Sequence, residues 1–249
     1  MKISIITVVW NNEKTIKNCI ESILSQTYKN IEYIIVDGQS TDKTIEIIKS
    51  YGNKISKFIS EKDNGIYDAM NKGISMASGD IVGILNSDDF YTNEKVIETI
   101  ANEFLTKDID ATFSDLDYIS FEDESKITRK WRSTPYSIGA FIKGWHPAHP
   151  TFFVKKEIYE KYGNFDLDFA ISADFEIMLR FIEKHKIKTT HIPQVLVKMR
   201  EGGESNQSIK NILKGNANVR KAFIKNGIKL DKLYTPKRLI KKVIQKIKK

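Results

Sequence analysis

Residues 81–90 read Ile-Val-Gly-Ile-Leu-Asn-Ser-Asp-Asp-Phe, an aliphatic run that passes directly into an amide, a hydroxyl and two adjacent carboxylates. A short apolar run bounded by polar residues is typical of a buried strand in a mostly parallel sheet. Ligands of such sheets bind just beyond the carboxyl ends of the strands. There the carboxylates of Asp88 and Asp89 would repel each other and lose solvation unless a cation lay beside them. Oxygen ligands suit Mg²⁺ or Mn²⁺, which leave coordination positions open for phosphate oxygens. The stretch therefore favours a metal–diphosphate site; the alternative is a solvated turn, where Asn, Ser and Asp are common.

Strand and helix patterns alternate on both sides of this stretch. Short apolar runs predict strands, and apolar residues at helical spacing predict helices. The predicted strands are 3–9, 31–36 and 57–60, and the predicted helices are 15–26, 66–77, 94–105 and one that begins at Ser40-Thr41-Asp42. This alternation predicts an α/β protein with a mostly parallel, Rossmann-like sheet that is covered by helices and joined by right-handed crossovers.

The second half of the chain contains more β-type patterns and an irregular stretch, rich in Trp, His, Pro and Gly, at residues 134–150. The predicted strands here are 111–114, 117–121, 127–132, 151–154 and 190–199, and the predicted helices are 174–185 and 205–226. No Pro- or Gly-rich linker separates the two halves, so a single continuous domain is predicted.

The composition is that of a globular protein with a sizeable core, since 41% of the 249 residues are hydrophobic. Cys19 is the only cysteine, which excludes an intramolecular disulfide and favours a reducing compartment. Only Lys2 adds charge before the first predicted strand, so we expect no signal peptide. No apolar run approaches the ~20 residues that a membrane-spanning helix needs.

Positive charge is concentrated at the C-terminus. Residues 230–249 hold seven lysines and one arginine against Asp231, which leaves the rest of the chain almost neutral although the net charge is +8. The charge of the domain body therefore does not indicate nucleic-acid binding. From about Pro236, an aliphatic stripe with lysine-rich flanks predicts an amphipathic helix that lies on an anionic membrane. The alternatives are a helix docked on the protein's own surface and a solvated end.

Two further carboxylates are candidates for function. Asp37 ends the second predicted strand and could accept hydrogen bonds from a ribose or a base, or else bond its local backbone. Asp174 lies at a predicted helix start, where the helix dipole favours a deprotonated carboxylate that can act as a general base. The alternative for Asp174 is a helix N-cap. Glu176 is the second candidate for the base.

Two common nucleotide-binding loops are absent from the sequence. Trp10-Asn11-Asn12 follows the first predicted strand where a dinucleotide-binding protein would have G-x-G-x-x-G, and no G-x-x-x-x-G-K-[ST] occurs. A dinucleotide cofactor and a P-loop phosphotransferase are therefore not expected. The histidines also lack the spacing of a zinc site. Phosphates bound by this sheet would need the cation at the Asp pair.

Taken together in order, a series of short segments resembles the family 2 glycosyltransferases, which have the GT-A fold of nucleotide-diphospho-sugar transferases. The segments are 4–11, 22–28, 32–42, 63–73, 86–89, 163–166, Asp174 and 179–180. Each segment is short, but their ordered occurrence across residues 3–205 is specific. One departure is Asn86, which stands where the family motif often begins with Asp.

The resemblance implies a donor site and an acceptor site. Mn²⁺ or Mg²⁺ bound by Asp88 and Asp89 would hold the diphosphate of a nucleotide sugar, and Asp174 would deprotonate an acceptor hydroxyl. The implied donor-binding residues are Thr7, Val8, Trp10, Asp37, Asp63, Lys72, Asn86 and Asp88, and the implied acceptor-binding residues are Trp145 and His149.

The resemblance also implies a division of the chain. Residues 1–229 would form a single GT-A domain, with a nucleotide-binding half at 1–105 and an acceptor-binding half at 106–229, followed by the tail at 230–249. The implied reaction is inverting transfer from a UDP-, GDP- or dTDP-linked sugar to a hydroxyl of the acceptor, a saccharide or lipid-linked saccharide. Such an enzyme would build surface polysaccharide, O-antigen (lipopolysaccharide) or capsule at the cytoplasmic face of the membrane. The alternatives are a sugar-1-phosphate nucleotidylyltransferase, whose Gly-rich basic loop is missing here, and a non-catalytic carbohydrate-binding domain.

Overall fold

A single sheet runs through both halves of the chain. The computed structural model describes residues 1–202, residues 209–230 and Tyr234, and within residues 1–202 nine strands form this sheet. The strands are β1 (Ile3–Val9), β2 (Ile31–Asp37), β3 (Lys57–Ser60), β4 (Ile81–Ile84), β5 (Phe90–Tyr91), β6 (Ala111–Ile119), β7 (Ile127–Trp131), β8 (Phe153–Lys155) and β9 (Thr189–Arg200). Their order across the sheet is β3-β2-β1-β4-β8-β6-β9-β5, and β7 pairs with β6.

One antiparallel strand joins two groups of parallel strands. β1 pairs in parallel with β2 and β4, and β6 pairs in parallel with β9. β8 runs antiparallel to both groups, with Val154 opposite Val82 of β4 and Ala111 of β6. Gly83 is required beside β8, because a Cβ there would lie 2.2 Å from Cε1 of Phe153. Most of the strands are thus parallel, as predicted, and the sheet is mixed because β8, β5 and β7 pair antiparallel with their neighbours.

Helices cover both faces of the sheet. They are α1 (Ile16–Leu24), α2 (Thr44–Ser50), α3 (Ile66–Met76), α4 (Val96–Thr106), α5 (Lys156–Tyr162), α6 (Ala173–Met178) and α7 (Ile209–Lys225). Side chains of β1 alternate between the two faces, as strand geometry requires. Ile3 and Ile5 pack in the core with α1 and α4, whereas Ile6 and Val8 pack in the core with α3 and α6. The predicted α/β single-domain architecture is confirmed.

The structure differs from the strands predicted for the second half of the chain at β6. Residues 111–121, predicted as two strands, contain one continuous strand whose register against β9 shifts around Asp115. The strand persists because the buried carboxylate of Asp115 lies 2.9 Å from Nε2 of His191 and accepts the backbone N–H of Ser133 at 2.9 Å. A polar residue in the strand is therefore satisfied by tertiary partners.

Helix α6 and two short elements also differ from the prediction. The helix predicted at 174–185 is α6 followed by a π-helical turn at Leu179–Lys184. β5 and α5 were not predicted, because elements of two and seven residues carry little periodic signal.

The predicted tail helix lies outside the described residues. Of residues 230–249, only Leu230 and Tyr234 are described, and residues 205–208 of the helix predicted at 205–226 are likewise outside the described ranges. Tyr234 packs edge-on against Phe223 of α7, with 5.1 Å between ring centroids. Across the described ranges, every helix is too short or too polar to cross a bilayer.

Candidate active site

Asp88 and Asp89 follow β4 at the carboxyl edge of the sheet. Asp89 is fully buried, and its Oδ2 accepts a hydrogen bond from Nδ2 of Asn86 at 3.3 Å. Its Oδ1 has no hydrogen-bond partner among the residues that the structure describes. Burial, and then the charge of Asp88, raise the pKa of Asp89 well above its usual range; burial also raises the pKa of Asp88. A cation would stabilise these two desolvated carboxylates.

The donor atoms at this edge fit Mg²⁺ or Mn²⁺ that shares its coordination with a diphosphate. Within the described part of the chain, no group of three or more His, Cys, Asp or Glu side chains is placed to hold a metal. Asp88 and the unpartnered Oδ1 of Asp89 supply two carboxylates. These ions commonly combine one or two carboxylates with phosphate oxygens and water.

Arg200, at the end of β9, is a further candidate site residue beside Asp88, and the sequence patterns did not reveal it. Its buried guanidinium donates to the backbone carbonyl of Asp88, pairs with Glu124 and lies 4.9 Å from the centroid of the Phe90 ring. Its charge partly offsets the burial that raises the pKa of Asp88. Its position could have identified it, because an arginine at the end of a buried strand needs acceptors such as a carboxylate nearby.

Asp174 lies in the first turn of α6 with both carboxylate oxygens engaged. The hydroxyl of Tyr67 donates to Oδ1 at 3.1 Å, and Nδ1 of His149 lies 3.3 Å from Oδ2. Ser172 holds the N-cap position, so the alternative of Asp174 as N-cap is wrong. The carboxylate remains partly exposed. An oriented, accessible carboxylate is what a general base requires.

Asn86 and His149 link the two carboxylate centres. Nδ2 of Asn86 lies 3.3 Å from Oδ2 of Asp89 and also 3.3 Å from Nε2 of His149. Polar contacts therefore run from Asp89 to Asp174 without interruption. The sequence motifs predicted these residues singly, but their contact joins segments 63 residues apart.

Glu176, the second candidate for the base, is occupied behind α6. It is buried and accepts hydrogen bonds from Nε of Arg180 and from Nδ2 of Asn226, each at 3.0 Å. Arg180 also donates to the carbonyls of Gly163 and Asn164. The network ties α6 to α7 and to the turn after α5. Glu176 is therefore a structural residue, which corrects its assignment as an alternative base.

Trp10 and Asp63 form an open wall at the carboxyl ends of β1 and β3. Trp10 is 67% exposed. Gly38 lies between the two side chains, because a Cβ on Gly38 would be 2.5 Å from Oδ2 of Asp63 and 3.6 Å from Cβ of Trp10. Lys72 of α3 contacts Glu61 at 2.9 Å and so holds the loop that carries Asp63. The ring of Trp10 could stack on the base of a nucleoside, and the carboxylate of Asp63 could accept its hydrogen bonds.

Three other predicted donor-site residues are buried in the structure. Asp37 is fully buried and accepts hydrogen bonds from the backbone N–H of Ser40 at 3.0 Å and from the hydroxyls of Ser40 at 2.5 Å and Ser60 at 2.6 Å. The side chains of Thr7 and Val8 are also buried. Asp37 therefore ties the ends of β2 and β3 together, whereas Thr7 and Val8 are core residues on opposite faces of β1.

Trp145 is built into the loop at 134–150. Its indole N–H donates to the carbonyl of Thr134 at 3.1 Å, and its ring packs edge-on against Phe113 and Phe141. The ring is partly exposed. These contacts show that Trp145 stabilises the conformation of the loop at 134–150.

Tyr118 of β6 and Trp131 of β7 form an aromatic pair on adjacent strands. Their rings stack with 6.3 Å between centroids. Burial raises the pKa of Tyr118 to about 12, and the charges of Asp89 and Asp174 contribute to the rise. Neither residue belongs to the motifs from which the site was predicted.

Comparisons with known proteins identify the family of the chain. The family model described as Glycosyl transferase family 2 matches residues 4–163. The chain is 30% identical over 232 residues to the UDP-Glc:alpha-D-GlcNAc-diphosphoundecaprenol beta-1,3-glucosyltransferase WfaP of Escherichia coli, covering 91% of this chain and 87% of that protein. It is 31% identical over 180 residues to an uncharacterized glycosyltransferase of Mycobacterium tuberculosis, covering 72% of this chain and 68% of that protein.

Solved structures show the same fold. S. aureus TarS 1-349 superposes with a TM-score of 0.68 at 16% identity, over 96% of this chain and 71% of that one. The mannosyltransferase PcManGT from Pyrobaculum calidifontis, in complex with GDP-Man and Mn²⁺, superposes with a TM-score of 0.65 at 19% identity, over 98% and 69%. The chain belongs to glycosyl transferase family 2, and it is a glycosyltransferase that takes its sugar from a nucleotide-sugar donor.

Proposed function

We propose that the protein is a metal-dependent, inverting glycosyltransferase that moves a sugar from a nucleotide diphosphate to a saccharide hydroxyl. The observation that carries this proposal is the position of Asp174, which is held by Tyr67 and His149 and connected to the Asp88–Asp89 pair. A carboxylate of this kind on the acceptor half, opposite a cation site on the donor half, supplies the two groups that the reaction needs.

In the proposed reaction, Asp174 removes the proton from the acceptor hydroxyl while the hydroxyl oxygen attacks the anomeric carbon. The attack comes from the face opposite the diphosphate, so the new C–O bond forms while the bond to the diphosphate breaks and the configuration inverts. Asp88 and Asp89 would hold Mn²⁺ or Mg²⁺, which when bound neutralises the charge on the leaving diphosphate. No covalent enzyme intermediate is required, because the acceptor itself is the nucleophile.

The donor nucleoside would lie against the wall formed by Trp10 and Asp63. The exposed ring of Trp10 offers a stacking surface, and Asp63 offers acceptors for base or ribose donors. Thr7, Val8, Asp37 and Lys72 would support this wall, and Asn86 and Asp88 would face the ribose and the transferred sugar. Related folds have been solved with UDP-GlcNAc and with GDP-Man, which supports UDP-, GDP- or dTDP-linked donors.

The acceptor would be a lipid-linked saccharide that enters beside His149 and the Trp145 loop. The E. coli relative is named for a diphosphoundecaprenol-linked acceptor, which supports this class of substrate. Such an acceptor would place the enzyme at the inner face of the cell membrane, in the synthesis of a surface polysaccharide such as O-antigen or capsule. The lysine-rich tail at residues 230–249 would then hold the enzyme on the anionic membrane.

Asp174→Asn tests the proposal. The amide keeps the shape of the side chain but cannot take a proton, so we expect transfer to fall by roughly 10²–10⁴-fold while donor binding is retained. Turnover would be measured with a panel of UDP-, GDP- and dTDP-sugars, after thermal stabilisation with Mn²⁺ has selected the donor. Asp168→Asn is the matched control, because Asp168 is an exposed partner of Lys225. Wild-type turnover in Asp174→Asn would overturn the assignment of the base.

A further inference from the structure

The amide of Asn86 faces two acceptors. Its Nδ2 lies 3.3 Å from Oδ2 of Asp89 and 3.3 Å from Nε2 of His149. Its Oδ1 is buried and, within the described ranges, has no hydrogen-bond partner. A side-chain amide carries two N–H donors on one nitrogen, so both contacts can be made at once.

This arrangement determines which ring nitrogen of His149 carries the proton. A neutral imidazole has one N–H donor and one acceptor nitrogen, and the tautomer follows from the hydrogen bonds that the ring makes. Nε2 of His149 accepts from Asn86, so the proton belongs on Nδ1. Nδ1 lies 3.3 Å from Oδ2 of Asp174, a carboxylate that can only accept when ionised. With the proton on Nε2 instead, lone pairs would face each other at Asp174.

We infer that Asn86 is a positioning residue that holds His149 in the neutral Nδ1–H tautomer and thereby directs an N–H at Asp174. The inference deepens the proposed function and rests on Asp174 as the base. His149 from one side and Tyr67 from the other fix the plane of the carboxylate. The remaining lone pairs are left for the acceptor hydroxyl.

Asn86 and His149 therefore form a matched pair in this chain. An ionised aspartate at position 86 has no hydrogen to donate, so Nε2 of His149 would have to become the donor. The ring would then be either an imidazolium or the Nε2–H tautomer. In both cases the neutral Nδ1–H form is lost, although Asn86→Asp changes few atoms.

The tautomer is measured directly by long-range ¹H–¹⁵N correlation spectra of the full chain labelled with ¹⁵N-histidine. The chain has four histidines, and loss of one signal set in His149→Gln assigns His149. Spectra would be recorded near neutral pH with Mg²⁺, which is diamagnetic. We expect His149 to be the neutral Nδ1–H form in the wild type and an imidazolium or the Nε2–H form in Asn86→Asp. Asn102→Asp, the same change on an exposed position of α4, should leave it unaltered.

A wild-type His149 in the Nε2–H form would overturn the inference, and so would an unchanged Nδ1–H form in Asn86→Asp. The positioning role is tested by turnover at saturating donor and acceptor. We expect it to fall about 10-fold in Asn86→Asp, less than the 10²–10⁴-fold loss expected when the base itself is removed. A changed tautomer with undiminished turnover would overturn that role. The spectra do not depend on catalysis, so failure of Asp174 as the base is detected separately by Asp174→Asn.

Discussion

The hydroxyl of Tyr67 connects a strained turn to the candidate base. It accepts the backbone N–H of Ser172 and donates to Oδ1 of Asp174, with 3.1 Å in each contact. Ser172 has a φ of 77°, in the left-handed region that residues with a Cβ rarely adopt. Burial, and then the charge of Asp174, raise the pKa of Tyr67 well above its usual range, so the phenol remains a donor. Strain held in this way is typical of functional sites.

Tyr67→Phe should therefore weaken both catalysis and stability. The N–H of Ser172 and Oδ1 of Asp174 lose their partner, which costs about 1–2 kcal/mol and lowers Tm by about 2–8 °C. We expect kcat to fall about 10-fold because Asp174 is no longer held on one side, whereas acceptor KM and donor affinity stay near wild type. Steady-state kinetics and thermal denaturation measure the two effects. A loss of stability without a change in kcat would contradict the positioning of Asp174 by Tyr67.

Asp89→Asn should stabilise the metal-free protein and abolish its response to metal. The pKa of Asp89 is raised by burial and by Asp88, so ionisation of this carboxyl costs folding free energy. The penalty is absent below the unfolded pKa of about 3.9 and grows as the pH rises. We expect the variant to be more stable than wild type at pH 8 by about 1–3 kcal/mol, with a smaller difference at pH 5.

Urea denaturation in EDTA at both pH values measures this difference, and thermal shifts with Mn²⁺ and the donor nucleotide measure the lost response. Asp168→Asn again serves as the control, since its carboxylate is exposed and paired with Lys225. Equal stabilisation of wild type and Asp89→Asn by Mn²⁺ plus nucleotide would contradict the metal assignment.

At the amino edge of the sheet, Glu32 of β2 joins several neighbouring elements. Its carboxylate, 3% exposed, accepts from the hydroxyl of Ser4 at 2.6 Å and the N–H of Ser78 at 2.7 Å, and pairs with Lys57 at 3.0 Å and Lys2 at 3.1 Å. Burial by itself raises the pKa of Glu32, but the bonds from Ser4, Ser78 and Lys57 outweigh it and hold the pKa below its usual range. The first three strands and the turn before β4 are thus tied at one carboxylate.

Glu32→Gln should lower the free energy of unfolding by about 1–3 kcal/mol at pH 7, because a charge-assisted network is replaced by a neutral amide. Since the folded pKa of Glu32 is depressed, its contribution is present above the unfolded pKa of about 4.3 and is lost as the pH falls below it. The difference in the free energy of unfolding between wild type and Glu32→Gln should therefore be smaller at pH 3 than at pH 7. Urea denaturation at the two pH values measures this difference, and Glu46→Gln, at an exposed position, is the control. An equal difference at pH 7 and pH 3 would contradict the role of the ionised Glu32.

For the molecule as a whole, the uneven charge predicts where it binds. Each basic residue near an anionic surface contributes about 1 kcal/mol, and a Debye length of about 8 Å makes the attraction sensitive to salt. We expect the full chain to co-sediment with phosphatidylglycerol-containing vesicles at low salt and to be released at high salt. A chain ending at Tyr234 should remain in the supernatant, and it keeps the contact between Tyr234 and Phe223.

A full-length variant with the tail lysines replaced by glutamine separates charge from length. It should bind vesicles less than wild type while its thermal stability is unchanged. If the full and the shortened chains pellet equally, or neither pellets, the tail is not the anchor.

The amino-acid sequence by itself was sufficient to predict the helix-covered, mostly parallel sheet and the two carboxylate centres. These features depend on local patterns: apolar runs such as 81–85 form strands wherever they are buried, and the motif at Asp88 and Asp89 lies directly after one. Asp174 was predicted as a candidate base from its position at a helix start, and the family resemblance implied the same role.

The tertiary structure alone decided how those centres are held. Tyr67 meets Asp174 across 107 residues, Asn86 meets His149 across 63, and Arg200 meets Asp88 across 112. Likewise β8 could not be recognised as the antiparallel joint, since a strand of three residues is defined by its partners and carries almost no periodic signal of its own. Local patterns determine which segments become strands and helices, whereas a hydrogen bond between distant segments depends on where packing of the whole sheet brings their ends together.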